Sequence, residues 1–312
     1  MILKQVLEIY DLLDSSTVSG EKVKELFQKH QWDLVTVNTI EGEEGSTDFV
    51  KIIIPGKNGK IKGGHVPTMG IIGRLGGIGA RPSVVGYVSD GDGATAALSA
   101  ALKLVDMYRG GDVLDGDVIV TTHICPNAPT QEHYPVPFMG SPVNMDQMNG
   151  VEVVEDMDAI ISIDTTKGNE IINHKGISIS PTVKDGYILP VSYDLLQVVK
   201  RVTGIMPNVF PLCIQDITPY SNDLHHLNSI LQPAVATTAP VVGVAITTEV
   251  PVAGCATGAS HGMDIEVAAR LAVEVAKDFG TDKCSLYDED NYKKLLELYG
   301  DCKRFQTSGL NE

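Results

Sequence analysis

The sequence predicts an α/β fold in three layers, with a mostly parallel mixed sheet between helices that cover both of its faces. Short apolar runs rich in β-branched residues alternate with helical segments along most of the 312 residues. Glycines bound several of these runs, as expected for buried strands joined by tight turns. A chain of this length can bury a large core, so we interpret residues 1–312 as one domain, with two domains as the alternative.

The individual elements follow from the apolar periodicity and from helix caps. A first helix spans residues 2–13, and a second is capped by Ser19 and runs to about His30. We predict strands at residues 34–40, 49–54, 69–72, 84–88, 118–122, 159–163, 177–181 and 209–214. We predict further helices at residues 94–109, 192–202, 222–230, 263–279 and 290–299.

Residues 126–157 contain five prolines and little periodicity, which predicts a long loop. Loops of this length in compact domains usually carry function. We therefore interpret the segment as a lid over a site or as a surface that contacts another copy of the chain. Because of the second interpretation, we expect a homo-oligomer.

The charge balance argues against two classes of partner. The sequence has 40 acidic residues against 24 basic ones, a formal net charge of −16, which repels phosphate backbones and anionic lipids. We therefore expect no nucleic-acid partner and no membrane partner. The first residues lack the features of a signal peptide, and the five cysteines are scattered without a CxxC pair. These features predict a cytoplasmic protein.

Acidic residues and histidines directly follow several predicted strands. In an open α/β sheet, ligands bind beyond the carboxyl ends of the strands, so residues placed there are candidates for a site. The candidates at these positions are Asp90, Asp92, His123, Asp164, Asp223, His225 and His226. Each has a structural alternative, because aspartates also form turns and helix caps and histidines are often surface or packed residues. Their joint placement at strand ends favours a site.

Three motifs resemble those of a family catalogued as a domain of unknown function, number 1177. They are GRLGGIG at residues 73–79, VSDGDGA at residues 88–94 and GASHGMD at residues 258–264. The order of elements over most of the chain is also similar to that of the co-catalytic zinc aminopeptidases and their carboxypeptidase and deacetylase relatives. In this wider resemblance, Asp90 corresponds to the aspartate that bridges two metals and Asp164 to a later metal ligand.

The wider resemblance also implies that the metal site is eroded. Where the zinc enzymes have His-x-Asp before the bridging aspartate, this chain has Arg74 to Gly76, and their paired glutamates correspond to Pro126 and Asn127. Their final histidine ligand falls near Gly254 or Cys255, unless His261 replaces it from a shifted loop. The resemblance therefore implies one divalent ion rather than two.

The resemblance assigns a role to each candidate residue. A single zinc or manganese ion would be held by Asp90 or Asp92 together with Asp164 and a histidine such as His261, with His123 as the catalytic acid or base. A guanidinium binds carboxylates in a bidentate manner, so Arg74 would anchor the carboxylate of a substrate. The other predicted substrate-binding residues are Asp223, His225, His226 and Cys255.

Two functions fit these expectations. The first is a metal-dependent hydrolase that acts on amide or peptide-like small molecules. The alternative is a non-catalytic protein that binds small peptides or metabolites and has lost the co-catalytic zinc site. In both cases the partner is a small molecule or a short peptide.

Overall fold

The computed structural model describes residues 2–15, 17–42, 45–74, 76, 87–226, 229–255 and 259–309. These residues form an α/β structure around a mixed sheet of nine strands, as the sequence predicts. The strands, including the two of a separate small hairpin, are β1 (Val35–Gly42), β2 (Gly45–Ile54), β3 (Met69–Gly73), β4 (Val118–Ile124), β5 (Thr130–Gln131), β6 (Phe138–Met139), β7 (Ala159–Thr166), β8 (Gly176–Ile179), β9 (Val183–Lys184), β10 (Tyr187–Ile188) and β11 (Val241–Thr247). The helices are α1 (Leu3–Leu13), α2 (Gly20–Lys29), α3 (Asp92–Arg109), α4 (Met145–Glu152), α5 (Tyr193–Thr203), α6 (Gly262–Phe279) and α7 (Glu289–Tyr299).

Four parallel strands form the centre of the sheet, in the order β4, β3, β7, β11. Nearly all of their residues are buried, as expected for strands that are covered on both faces. The edges are antiparallel: β2 pairs with β4 on one side, and β8 and β9 pair with β11 on the other. Parallel pairing is therefore confined to the centre, and the expectation of a mostly parallel sheet holds only there.

One face of the sheet is covered by a layer of helices. The helix α3 contacts β3, β4 and β7, while α1 and α6 pack against α3 and α5 packs against α6. On β3, Met69 and Ile71 join the core beneath these helices and Ile72 joins the core on the other face, because successive side chains of a strand alternate. Within the described ranges, no helix is long and apolar enough to cross a membrane.

Helices cover the other face only in part. There α4 packs against the short 3-10 turn at Gln232–Val235. The strand predicted at residues 209–214 is absent, and a 3-10 turn forms at Ile214–Ile217 instead. The physical reason is Pro211 in the middle of this apolar run, since proline cannot donate a ladder hydrogen bond.

Three further predictions differ from the structure or lie outside it. The helix predicted at residues 222–230 is absent from the described residues of this segment, and Asp223 has a φ of 60°, which no α-helix accommodates. The strand predicted at residues 84–88 lies mostly outside the described residues. The predicted loop at 126–157 contains β5, β6 and α4, and α4 begins with a capping box formed by Asn144 and Gln147.

Gly73 is the point of closest approach between β3 and α3, and it supports a test of this packing. A Cβ atom at residue 73 would lie 2.7 Å from the Gly93 carbonyl oxygen and 2.9 Å from the Cα of Ala94, so the backbone would have to move. We expect Gly73→Ala to lower the free energy of unfolding by about 1–3 kcal/mol, as overpacking does, measured by urea unfolding. Gly150→Ala in α4 is the control, since nothing lies within 4 Å of its added Cβ; equal losses would contradict this account.

Candidate functional site

A cleft of about 250 Å³ opens where β7 and β11 end. Its walls come from the end of β7, the turn before α3, the loop after β11 and the 126–157 segment. Asp90 and Asp164 both line it, so two residues predicted from separate strand ends meet at one place. The 126–157 segment contributes His133 and residues 135–137 to the wall.

A larger groove of about 780 Å³ lies beside residues that precede β7 and β11, at the other end of these strands. Two of its charged side chains, Lys184 and Asp158, already have partners within the protein. Lys184 donates to the carbonyl oxygen of Thr238, and Asp158 accepts from Lys60 at 2.6 Å and from the Thr68 N–H at 2.7 Å. We therefore place the candidate site in the smaller cleft, where carboxyl groups face the opening.

Local hydrogen bonds hold the carboxyl group of Asp164 and the backbone of Asp90 in place. One oxygen of Asp164 accepts the N–H of Thr165 at 2.6 Å, and the other accepts the Ser229 hydroxyl at 2.8 Å. The N–H of Asp90 donates to the carbonyl oxygen of Gly254 at 3.1 Å. A Cβ atom at Gly254 would lie only 2.4 Å from the carboxyl oxygens of Asp90, so the loop after β11 comes this close only with glycine.

Burial raises the pKa of both cleft carboxyl groups. Loss of solvent raises the pKa of Asp90 to about 7, and the nearby charge of Asp92 adds to this effect. Loss of solvent also raises the pKa of Asp164 to about 7, with a further contribution from Asp90 and an opposing one from the Ser229 hydrogen bond. Near neutral pH, each carboxyl group is therefore partly protonated.

Asp90, Asp92 and Asp164 influence one another electrostatically, and we call these three residues the acidic group. Within it, Asp92 pairs with other residues of the protein. The Nζ of Lys167 is 2.9 Å from one oxygen of Asp92, and both side chains are almost fully buried. The other oxygen accepts the Tyr87 hydroxyl at 3.2 Å, and the hydroxyls of Tyr87 and Thr95 are 2.6 Å apart. Lys167 and Tyr87 were not among the predicted residues. The position of Lys167, three residues after Asp164 at a strand end, is the signal that could have identified it.

His123, the predicted acid or base, uses both ring nitrogens inside the protein. Its Nε2 accepts the N–H of Gly76 at 3.0 Å, so its Nδ1 carries the proton and donates to Glu152 at 2.6 Å. Glu152 is completely buried at the end of α4. His123 therefore has no free nitrogen for a substrate in this arrangement.

Arg74, the predicted carboxylate anchor, is also completely buried and paired with Glu152. Its Nε lies 2.8 Å from Glu152, while its other nitrogens contact the Sδ of Met145 and the side-chain oxygen of Asn149. Arg74, Glu152 and His123 thus form one closed polar cluster, which we call the internal cluster. Glu152 was not among the predicted residues. The signal that could have identified it is the capping box of Asn144 and Gln147, which starts the helix that ends at Glu152.

The remaining predicted residues do not line the cleft. Asp223, His225 and His261 are exposed and do not line the cleft. His226 packs its ring 4.4 Å from that of Tyr220, and burial lowers the pKa of His226. Cys255 is buried in a small apolar cluster, where loss of solvent raises the pKa of its thiol.

The described residues do not supply the donor set of a zinc or manganese centre. Among them, no group of three or more histidine, cysteine, aspartate or glutamate side chains is arranged to hold a metal ion. In addition, an ammonium group binds Asp92, and His123 has no free nitrogen. The predicted metal ion stays a prediction.

A serine motif was also missed by the sequence analysis. Residues 258–262 read GASHG and match the G-x-S-x-G pattern of hydrolases with a serine nucleophile. In those enzymes the serine lies on a sharp turn between a strand and a helix, whereas here β11 ends at Thr247, well before α6 begins at Gly262. The Ser260 hydroxyl lies beside Asp92, and we assign it no nucleophilic role.

The pairing in the internal cluster can be tested by mutation. Removing one member of a buried ion pair leaves an uncompensated charge, so we expect Arg74→Met to lower the free energy of unfolding by about 3–5 kcal/mol. The measurement is urea unfolding at pH 7. The control is Lys293→Met, which removes an exposed partner of Glu289 and is expected to cause no measurable loss. A small effect of Arg74→Met would show that the cluster does not stabilise the fold.

The raised pKa of Asp90 can be tested through the pH dependence of stability. Because its pKa of about 7 in the folded protein lies above the ordinary 3.8, the folded state holds more protons between these values, and stability falls as pH rises through them. We expect Asp90→Asn to remove this loss, and so to be more stable than the wild type at pH 8 by at least about 1 kcal/mol, with little difference near pH 4. Thermal unfolding at both pH values tests this, with exposed Asp223→Asn as the control. A stability difference that does not change with pH would contradict it.

Comparison with known proteins assigns a family. No curated protein matches the sequence significantly. A family model described as "Protein of unknown function (DUF1177)" matches residues 38–309, which is most of the chain. The predicted family is thus confirmed, whereas the likeness to zinc peptidases, the homo-oligomer and the cytoplasmic location stay predictions. The chain belongs to the DUF1177 family.

Proposed function

We propose that the cleft binds a small molecule with a protonated amino group, of the size of an amino acid or dipeptide, held between Asp90 and Asp164. The observation that carries this proposal is that two buried carboxyl groups face the same small cleft. This is the non-catalytic alternative among the two functions that the sequence suggests. It requires no metal ion.

Electrostatics favours a cationic ligand in this position. Two carboxylates in a poorly solvated place repel each other, and a positive charge between them removes that repulsion. An ammonium group has three N–H donors, and a carboxylate offers about four acceptor positions. Asp164 uses two of these for Thr165 and Ser229, so it can still accept from a ligand.

The size and lining of the cleft favour a small ligand with an apolar part. A volume of about 250 Å³ is below the range typical of drug-sized ligands, about 300–1,000 Å³. Pro135, Pro137, Pro251 and Val252 line the cleft beside the carboxyl groups. Such residues give an apolar surface for the body of a ligand whose amino group binds the aspartates.

The environments of His123 and Arg74 support binding rather than metal-dependent hydrolysis. His123 uses both ring nitrogens, and Arg74 is buried against Glu152. Neither group is free to act on a ligand or to anchor one. Neither side chain is therefore available for the role in a hydrolase that the sequence predicted for it.

A second candidate function, hydrolysis of an amide bond without a metal, is favoured by one observation. The pKa values of Asp90 and Asp164 are both about 7, so one carboxyl group can act as a general acid while the other acts as a general base. Turnover of dipeptides by the wild type, lost in both Asp90→Asn and Asp164→Asn, would favour this function over simple binding.

We expect the purified protein to bind Ala-Ala or Gly-Gly and not their N-acetylated forms, as measured by isothermal titration calorimetry. Asp164→Asn should weaken binding at least about tenfold, as does the loss of a charged partner in a buried site. Asp223→Asn, an exposed aspartate outside the cleft, is the matched control. Equal binding of the acetylated peptides would contradict the proposal.

The same titration should depend on pH with a maximum near pH 7.5. Below pH 7 the cleft carboxyl groups take up protons, because their pKa values are about 7, and affinity falls by about tenfold per pH unit for each group that must ionise. Above about pH 8 the amino group of the peptide loses its proton, and affinity falls again. A flat profile between pH 6 and 9 would contradict binding through these groups.

A further inference from the structure

Lys167 lines the cleft and places a positive charge next to Asp92 in the acidic group. Its Nζ lies 2.9 Å from Asp92, and the side chains are 3% and 0% exposed, respectively. Its backbone position is also fixed: the carbonyl oxygen of Lys167 accepts the N–H of Val252 at 3.3 Å. The next residue, Gly168, has a φ of 51° and approaches the Val250 carbonyl too closely for a side chain. The ammonium group is therefore built into the site.

The donors beside this ammonium group are of the kind that a hard divalent ion uses. Asp90, Asp92 and Asp164 supply carboxylate oxygens, and the hydroxyls of Tyr87 and Ser260 lie beside Asp92. Hard divalent ions such as Mn²⁺ and Mg²⁺ bind through one or two carboxylates, with water in the remaining positions. Lys167 opposes this in two ways: it occupies Asp92, and its charge repels a second cation.

We infer that Lys167 is an internal counter-ion that excludes divalent metal ions from the acidic group and so sets the specificity of the cleft for a single positive charge. The inference rests on the proposed function and deepens it. Asp92 is neutralised by Lys167, which leaves Asp90 and Asp164 facing the cleft. One protonated amino group then offsets one of these two charges. The disagreement between these residues and a metal centre thus has a specific cause.

The test is Mn²⁺ binding to the full-length wild type and to Lys167→Met, measured by the loss of the free Mn²⁺ signal in electron paramagnetic resonance. We expect no stoichiometric binding to the wild type and about one Mn²⁺ per chain in Lys167→Met. Lys167→Arg keeps the charge and should bind no Mn²⁺. The double variant Asp92→Asn with Lys167→Met should bind Mn²⁺ at least about tenfold more weakly than Lys167→Met, because it lacks one charged ligand.

Lys184→Met is the matched control for removing a lysine beside an aspartate. Lys184 lies 3.5 Å from Asp185, away from the cleft, so this variant should bind no Mn²⁺. If Lys167→Met remains folded by circular dichroism and binds no Mn²⁺, the inference is wrong. Stoichiometric binding by the wild type would overturn it as well. If Lys167→Met and Lys167→Gln fold only when Mn²⁺ is present, the inference is supported; failure to fold even with Mn²⁺ counts against it.

The outcomes also separate this inference from the proposed function. Peptide binding by the wild type, together with no Mn²⁺ binding by a folded Lys167→Met, would leave the proposed function standing and remove only the role of Lys167. No peptide binding by the wild type, together with Mn²⁺ binding by Lys167→Met, would remove the proposed function alone. The counter-ion role would then remain as a property of the acidic group.

Discussion

The close contact between β3 and the first turn of α3 determines the position of the acidic residues at the cleft. A Cβ atom at Gly73 would lie 2.7 Å from the carbonyl oxygen of Gly93, and one at Gly93 would lie 2.5 Å and 2.6 Å from the carbonyl oxygens of Arg74 and Ile163. The N–H of Arg74 also donates to the carbonyl oxygen of Ile163 on β7 at 2.7 Å. These contacts bring the turn that carries Asp90 and Asp92 beside the end of β7, where Asp164 lies. Any larger spacing would separate the carboxyl groups and open the cleft.

Two groups of buried charges result, and they differ in how fully they are paired. In the internal cluster, Glu152 binds both Arg74 and His123, so the charges compensate one another and contribute to the fold. In the acidic group, Lys167 pairs with Asp92, and its charge also opposes the rise in the pKa of Asp90. Among the described residues, Asp90 and Asp164 form no ion pair of their own, and burial raises the pKa of each to about 7. Buried charge without a partner is costly. A site that keeps such charge in the absence of ligand is therefore expected to gain stability when a cation binds.

The pairing within each group also explains why a likeness in the order of elements does not carry an activity with it. Positions that resemble metal ligands are present at Asp90 and Asp164, but the surrounding partners change what these residues can do. Lys167 pairs with Asp92, and both ring nitrogens of His123 are hydrogen-bonded, to Gly76 and Glu152. These groups are therefore not available to bind a metal. The chemistry of the cleft depends on these neighbours as much as on the aspartates.

The sequence by itself determined the α/β class and most of the central strands and helices, because apolar periodicity is a local property. It also predicted that Asp90 and Asp164 lie at one edge of the sheet, and both line the cleft there, with Asp164 inside β7 rather than after it. It also determined the family, through the motifs at residues 73–79, 88–94 and 258–264. Only the tertiary structure decided which polar side chains face the cleft. Arg74 and His123 pair with Glu152, and Lys167 pairs with Asp92, at sequence separations of 78, 29 and 75 residues. Such partners are selected by the packing of distant elements, which no local pattern records.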